Sequence, residues 1–456
     1  MSRATLDPKE QQKRFILNEN LWKVMASLSW PAVIAMVLYG ANSMLDAFFV
    51  GQYVGETALA GVSLAYPITG LSTGIGSLIG VGAGSVLSIA LGAKDLKTQH
   101  HLIAGVNIMT IISTIIYMVI GLLFSTQIVA MMGGVGEELI LGDEYFRITI
   151  LGAVFWIYGL AINMLIRAEG RMKTAAWMMG LGLIANAIFN YIFIVMMEMG
   201  VAGAAWGTNV GMFVYSLVGF IYLMSGKASF PTKALSFKFD KMVVTDINRL
   251  GISSFIMTVM TLIQAIVVFN ALSNYGTVAD IAFYGVVYRI FQFFLTPIFG
   301  LMRALQPVIG INYGAKQYER SIKAYKIFAV AAMALTIPLW LVTLIAPETI
   351  LSMMLTETVF TATQLNAFRI YILIVPILSV IFMAMTFFPA VDKGKPAAII
   401  GMARQFVFYV PVMLIVPKMF GVESIYYASF VIDVIIVLWT VLMVKNEFKS
   451  LRNRTN

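Results

Sequence analysis

The chain contains no cysteine, which excludes a disulfide framework, a thiolate zinc site, an iron–sulfur cluster and a cysteine nucleophile together. Histidine is nearly as scarce. The two present, His100 and His101, are adjacent at the expected start of a helix and read as solvated side chains. Charged residues make up 12% of the chain, where a soluble domain carries about a quarter. No Walker A, H-E-x-x-H or G-x-S-x-G pattern occurs, so ATP-driven transport and hydrolysis have no visible residues. Gly74, Gly76, Gly80, Gly82 and Gly84, in STGIGSLIGVGAGS, do not form G-x-G-x-x-G and follow no strand. They read as small-residue helix packing.

What the chain has in excess is apolar surface, at 60% of 456 residues. That surplus must face something other than water, and a bilayer is the solvent that fits. Twelve apolar runs are long enough to cross roughly 30 Å of hydrocarbon as helices: 21–50, 57–92, 99–131, 145–167, 174–197, 201–225, 249–273, 280–314, 325–346, 366–391, 396–417 and 422–444. They are continuously apolar, whereas barrel strands alternate over about ten residues, so the expected fold is an all-α membrane protein. The first run follows a basic stretch (Arg3, Lys9, Lys13, Arg14), exceeds a signal h-region and lacks a small-residue cleavage site. It is expected to be retained.

Charge placement orients the spans. The net charge is +9, and 26 of the 31 Lys and Arg fall at one side if the N-terminus is inside, Arg167 and Arg404 counted among them. This positive-inside split predicts a multi-pass protein of the cell membrane with both termini cytoplasmic. It also assigns the basic excess to lipid orientation, with no nucleic-acid partner.

An internal repeat divides the chain. LGAK at 91–94 recurs as YGAK at 313–316, Lys173-Thr-Ala-Ala recurs as Lys395-Pro-Ala-Ala, and Gly200-Val recurs as Gly421-Val, at spacings of 222, 222 and 221. The organisation expected is a cytoplasmic segment 1–20, a first lobe 21–225, a cytoplasmic linker 226–248, a second lobe 249–444 and a tail 445–456. Even span numbers give both lobes one orientation, related by an axis along the membrane normal. A central cavity should lie between them.

Charge inside a span is costly and needs a reason. Asp46 on the first span, Arg289 and Arg303 on the eighth, and Asp433 on the twelfth qualify. Asp46 is the leading functional candidate because it shares its helix with Pro31, a residue that removes a backbone hydrogen bond and can serve as a hinge. Asp433 and Arg303 read as packing or interfacial ion pairs. Amides gather nearby in sequence: Asn163, Asn186, Asn190, Thr208 and Asn209. Asn186 and Asn190 are four apart and share a helix face. Such groups can pair with a carboxyl in either protonation state, ligate a hard cation, or simply tie helices together. A secondary transporter or a pore remains.

Several motifs together carry a family resemblance. They are Pro31 with Asp46, the run DAFFVGQYVGETALAGVSLAYPI from Asp46 to Ile68, NMLIRAEGR from Asn163 to Arg171, GVAGAAWGT from Gly200 to Thr208, and QPVIGINYGA from Gln306 to Ala315. Over nearly the whole chain the sequence resembles the multidrug and toxin extrusion family. The resemblance implies twelve transmembrane helices in two pseudo-symmetric six-helix lobes, a central cavity, and cation-driven antiport of organic compounds without a catalytic or metal site.

It also maps the family's cation site onto Asp46, Asn163, Asn186, Asn190 and Thr208. Some members have Asp where this chain has Asn190, so one ionisable group is missing here. The repeat spacing puts Val268 opposite Asp46, and neither the seventh nor the tenth span has a central acid, so coupling is expected in the first lobe. A site with one carboxylate and neutral amides can ligate a sodium ion but is poor in charge for it, so a proton, which needs only the carboxyl, is favoured. No cofactor is expected beyond the proton gradient, with sodium as the alternative driver. The partners expected are small organic, often cationic substrates and membrane lipid, with the chain acting as a monomer.

Thirty Met and 31 Phe could supply a soft apolar cavity, though spacing singles out none of them. A lipid-linked sugar flippase would want a strongly basic cavity. A membrane enzyme would want clustered acids, His or metal ligands, and a channel would want polar rings.

Overall fold

A computed structural model describes residues 8–352 and 360–454, and all regular structure among them is helical. A short helix α1 (Pro8–Asn18) leads into α2 (Leu21–Tyr53), α3 (Glu56–Ala93), α4 (Leu96–Met131), the pair α5 (Gly136–Leu151) and α6 (Ala153–Ala168), α7 (Met172–Asn190) and α8 (Gly200–Met224). The second set comprises α9 (Lys241–Tyr275), α10 (Val278–Gly314), α11 (Tyr318–Ile345), α12 (Pro347–Ser352), α13 (Ala362–Leu373), α14 (Val375–Ala390), α15 (Gly394–Met402), α16 (Val410–Phe420) and α17 (Ser424–Asn453). Among the described residues eleven helical segments are long and apolar enough to cross a membrane, and α5 with α6, bent by 54°, makes a twelfth.

That bend has a specific cause. Gly152 leaves helical geometry (φ −87°, ψ 2°), and its amide bonds Thr149 rather than Ile148. Asn209 of α8 takes the freed carbonyl, donating Nδ2 to Ile148 O at 2.7 Å, and a side chain at position 152 would collide with the Asn209 amide. A side chain inserted into the ladder breaks the helix. Hydropathy alone merges the two pieces and starts the span at 145, inside α5.

The repeat recurs in the backbone. Among the left-handed residues, six fall in three pairs: Lys94 (φ 58°) with Lys316 (φ 61°), Gly170 (φ 85°) with Asp392 (φ 64°), and Gly200 (φ 61°) with Gly421 (φ 79°). Their spacings are those of the three sequence matches; the first and third pairs lie within the matches and the second lies three residues before Lys173 and Lys395. Lys94 caps α3 and Lys316 follows α10, so the second long helix of each half ends in the same turn.

The halves meet chiefly where α3 packs on α9 and α10, and where α10 packs on α2. Toward the end carrying the lysine-rich turns, hereafter the basic face, the α3 seam is built on glycine. A Cβ at Gly82 would strike the Ile247 carbonyl, one at Gly251 the Leu78 carbonyl, one at Gly92 the Ile311 carbonyl, and one at Gly314 the Ile89 carbonyl. Backbones can approach this closely only where side chains are missing. Gln306 of α10 adds donors to Val81 O and Ser85 Oγ, both at 3.0 Å.

Residues at the basic face are held more firmly than a tail and linker require. Helix α1 buries Ile16 completely; Gln12 donates to Gly170 O at 3.1 Å and Arg320 to Ile16 O at 3.0 Å. The segment between α8 and α9 buries Ala228, Phe230 and Ala234, and Asn107 donates to the carbonyls of Ala234 (2.8 Å) and Ser236 (3.0 Å). Glu169 accepts from Tyr222 Oη and from the Ser229 backbone N–H.

Candidate ion-coupling site

Three glycines one turn apart on α8 place the site. Gly203 lies against Phe193, Gly207 against the Asn190 amide and Gly211 against Asn186, each leaving no room for a Cβ. The GVAGAAWGTNVG motif is thus a groove, and α7 lays Asn186 and Asn190 into it. Past Asn190 the chain of α7 widens into a π turn, Tyr191–Met196. Helix α2 packs against α7 and brings Asp46 across. Asn190 Nδ2 donates to Asp46 Oδ1 at 2.6 Å, and Asn42, one turn back on α2, approaches Asp46 Oδ2 at 3.4 Å.

Asp46, Asn42, Asn186 and Thr208 face one cavity of about 450 Å³, with Tyr39, Tyr66 and Gln292 also on its walls. Among the residues lining it Asp46 is the one acid, and the lining contains no Lys, Arg or His. Asn190, 1% exposed, reaches Asp46 from behind the wall. Among the described residues neither atom of the Asn186 amide makes a hydrogen bond within 3.5 Å, and neither does Asn190 Oδ1. A carboxylate, amide oxygens and a threonine hydroxyl can hold a proton on Asp46 or share a small cation.

Asn163 lies elsewhere in the cleft. Its oxygen accepts from Arg167 Nε at 2.7 Å and its Nδ2 donates to Ala175 O at 2.8 Å, so both ends of the amide are engaged. It lines a smaller chamber of about 100 Å³ that shares Tyr39, Thr73, Trp156, Leu183 and Met212 with the main cavity. Pro31 sits within α2, which stays helical from Leu21 to Tyr53.

The charges expected within spans separate in kind. Asp433, 3% exposed, is paired with Arg404 (Nε–Oδ1 2.7 Å, Nη2–Oδ2 3.2 Å). The sequence reading put Arg404 at the inner face, but it lies in a π segment, Ala403–Tyr409, and lines a cavity of about 220 Å³ among the second helices. Arg289 is exposed on the wall of an apolar cleft. Arg303 touches Met164 Sδ at 3.6 Å in the smaller chamber. Val268 is fully buried.

Asn42 is a contact that sequence reasoning passed over. Its i, i+4 relation to Asp46 on one helix was the available signal. His100 is exposed; His101 lies 4.0 Å from Asp240, beside the linker. Among the described residues no group of three His, Cys, Asp or Glu could hold a metal ion.

Comparison with known proteins is consistent with two copies of one unit. The MatE family model matches residues 31–192 and 250–415. The chain is 26% identical over 453 residues to the multidrug export protein MepA of Staphylococcus haemolyticus, covering 98% of this chain and 97% of that one. It is 28% identical over 442 residues to MepA of Staphylococcus aureus, with 96% of each covered. Among solved structures, an outward-facing multidrug resistance MATE transporter of the MOP superfamily superposes with a TM-score of 0.89 at 21% identity, covering 96% of this chain and 98% of that one.

Proposed function

The chain belongs to the MATE family of membrane transporters, and from that premise we propose that it is a multidrug efflux antiporter. It exports organic, often cationic, amphiphilic compounds in exchange for protons, with Asp46 as the coupling group and Asn42, Asn186, Asn190 and Thr208 as its polar surroundings, while Asn163, bonded to Arg167 and Ala175, stands apart from them. The observation that carries this reading is the solitary acid. Asp46 is the one charged residue lining a 450 Å³ cavity, and the groups bonded to it are neutral amides.

The chemistry follows from that solitude. An ionised Asp46 gives the cavity a negative charge with no fixed counter-charge, which favours an organic cation. Protonation removes the charge, and with it the differential affinity that held the cation. Proton and drug therefore compete for one electrostatic well, which is the thermodynamic requirement for exchange. Apolar contacts come from the neighbouring cavity, lined by Met257, Met260, Met385, Phe291, Phe299 and Phe382, which meets the first at Thr261 and Gln292. Methionine and aromatic walls adapt to varied shapes.

A sodium ion stripped of water can be ligated by one carboxylate, a few amide oxygens and a hydroxyl, but such a site is poor in charge for it, whereas a proton needs only the carboxyl. The test is made in proteoliposomes, first with a pH gradient in sodium-free buffer and then with a sodium gradient at constant pH. Substrate movement that follows pH and vanishes in Asp46→Asn is expected. Movement that follows sodium alone overturns the choice of ion.

A further inference from the structure

Below the Asp46 cavity, toward the basic face, the chamber of about 100 Å³ collects positive charge without an acid. Arg167 enters from α6 and Arg303 from α10, one from each half of the chain. Both side chains line this one small chamber. Arg167 is 4% exposed, and its Nη1 has no hydrogen-bond partner. Among the described residues Arg303 has only the Met164 sulfur as a side-chain partner. Among the described residues neither guanidinium has a carboxylate within 4.0 Å; the acid nearest in sequence, Glu169, is turned to Tyr222, Ser229 and Arg171 instead.

A third donor completes the chamber. Tyr215 is 5% exposed and lines it, its ring seated against Gly159 and its Cβ against Gly182, and among the described residues its hydroxyl has no hydrogen-bond partner. Buried like charges with unpaired N–H groups are unfavourable unless something negative neutralises them. We propose that Arg167, Arg303 and Tyr215 form a binding site for a small monovalent anion, either a halide or the carboxylate of an amphoteric substrate, bridging the two halves of the protein.

A planar guanidinium with free N–H groups is suited to both ligands, and a chamber of this size admits a halide or a single carboxylate group rather than a larger polyanion. One arginine comes from each half, so an occupant stabilises the arrangement in which the halves are together at this depth. The chamber contains neither Asp46 nor the amides bonded to it, so occupancy of the site can be read separately from the choice of coupling ion.

The full chain in nanodiscs of neutral phosphatidylcholine provides the test. Its melting temperature is followed while chloride, or in a second arm acetate, replaces gluconate at constant ionic strength. A saturable rise is expected in the wild type, lost in Arg303→Gln and displaced to higher anion concentration in Arg303→Lys, which keeps the charge but not the fork. A rise with chloride alone assigns the site to an inorganic anion, and one with acetate assigns it to a substrate carboxylate. A wild-type melting temperature indifferent to both anions overturns the proposal. So does an unchanged response in Arg303→Gln. If Arg303→Gln does not fold, an Arg303→Lys titration identical to wild type overturns it equally.

Discussion

Asn190 donates its amide to Asp46 at 2.6 Å, joining α2 to α7 across 144 positions of chain. A neutral donor steadies the carboxylate without supplying a counter-charge, so the sign of the cavity depends on Asp46 alone. Asp46→Asn is therefore expected to lower gradient-driven export to background at normal expression. Asn190→Ala, which removes one charge-assisted hydrogen bond of about 1.5–3 kcal/mol, should leave coupling measurable but shifted in pH. The check is export from proteoliposomes across a pH series; full coupling in Asp46→Asn would contradict the assignment.

The buried Arg404–Asp433 pair is expected to serve the fold instead. Removing Asp433 strands a guanidinium, at a cost of about 3–5 kcal/mol, whereas replacing both partners by apolar groups is close to neutral. Asp433→Ala should melt well below wild type and Arg404→Met with Asp433→Leu should recover most of the loss. Gradient-driven export per folded molecule should survive in the double variant. Its disappearance there, matching Asp46→Asn, would place a second coupling group in this half.

Much of this architecture was legible because bilayer burial writes itself into composition. The twelve spans, the repeat and the membrane class follow from apolar runs and from three short matches that the backbone repeats as left-handed turns. Hydropathy reports contact with lipid rather than helix ends, so it starts the ninth span at 325 where α11 begins at Tyr318, beyond Arg320 and Lys323. It also misses α1, which is too short and polar to span and is anchored by buried Ile16 together with hydrogen bonds. The α5–α6 break was hidden because it depends on Asn209, far away in sequence. Asp46 stood out as a charge in an apolar run, whereas the surroundings of Arg167 needed packing: an arginine at a span end looks solvated until the neighbouring helices cover it.

Glu169 gives a pH signature at the basic face. Burial pushes its carboxyl above the usual range, against the opposing pull of its Tyr222 and Ser229 donors. A raised folded-state pKa contributes stability that is complete below the ordinary glutamate value and lost as pH rises through the folded one. The melting temperature should therefore fall as pH rises above the ordinary glutamate value in the wild type, and less so in Glu169→Gln. Glu169→Ala leaves two buried donors unpaired and should cost about 1–3 kcal/mol at any pH. Identical melting curves for Glu169→Gln and wild type across that range would refute the assignment.

Pro31 lies inside an unbroken helix and leaves the Ser27 carbonyl without its i+4 donor. A helix lacking one internal bond bends there at lower energy. Pro31→Ala restores the donor and should slow export while equilibrium substrate binding is retained. Turnover equal to wild type would mean that the bond's absence is tolerated rather than used.

The glycine seam yields the last prediction, and the chain's lack of cysteine makes it measurable. In the arrangement described, a methyl group at position 251 would collide with the Leu78 carbonyl, and backbone cannot move aside as a flexible side chain can. Gly251→Ala should thus disfavour the closed contact between α3 and α9 and shift the population toward states open at the basic face. Ser85, fully buried in the same seam beside Gln306, reports on that shift when replaced by cysteine. A membrane-impermeant maleimide applied from the basic face should label Ser85→Cys slowly in the wild-type background and several-fold faster with Gly251→Ala. Equal rates would show that the seam gives locally, without separating the halves. In that case the close approach of α3 and α9 would be packing alone, and opening of the transporter would have to occur along some other contact.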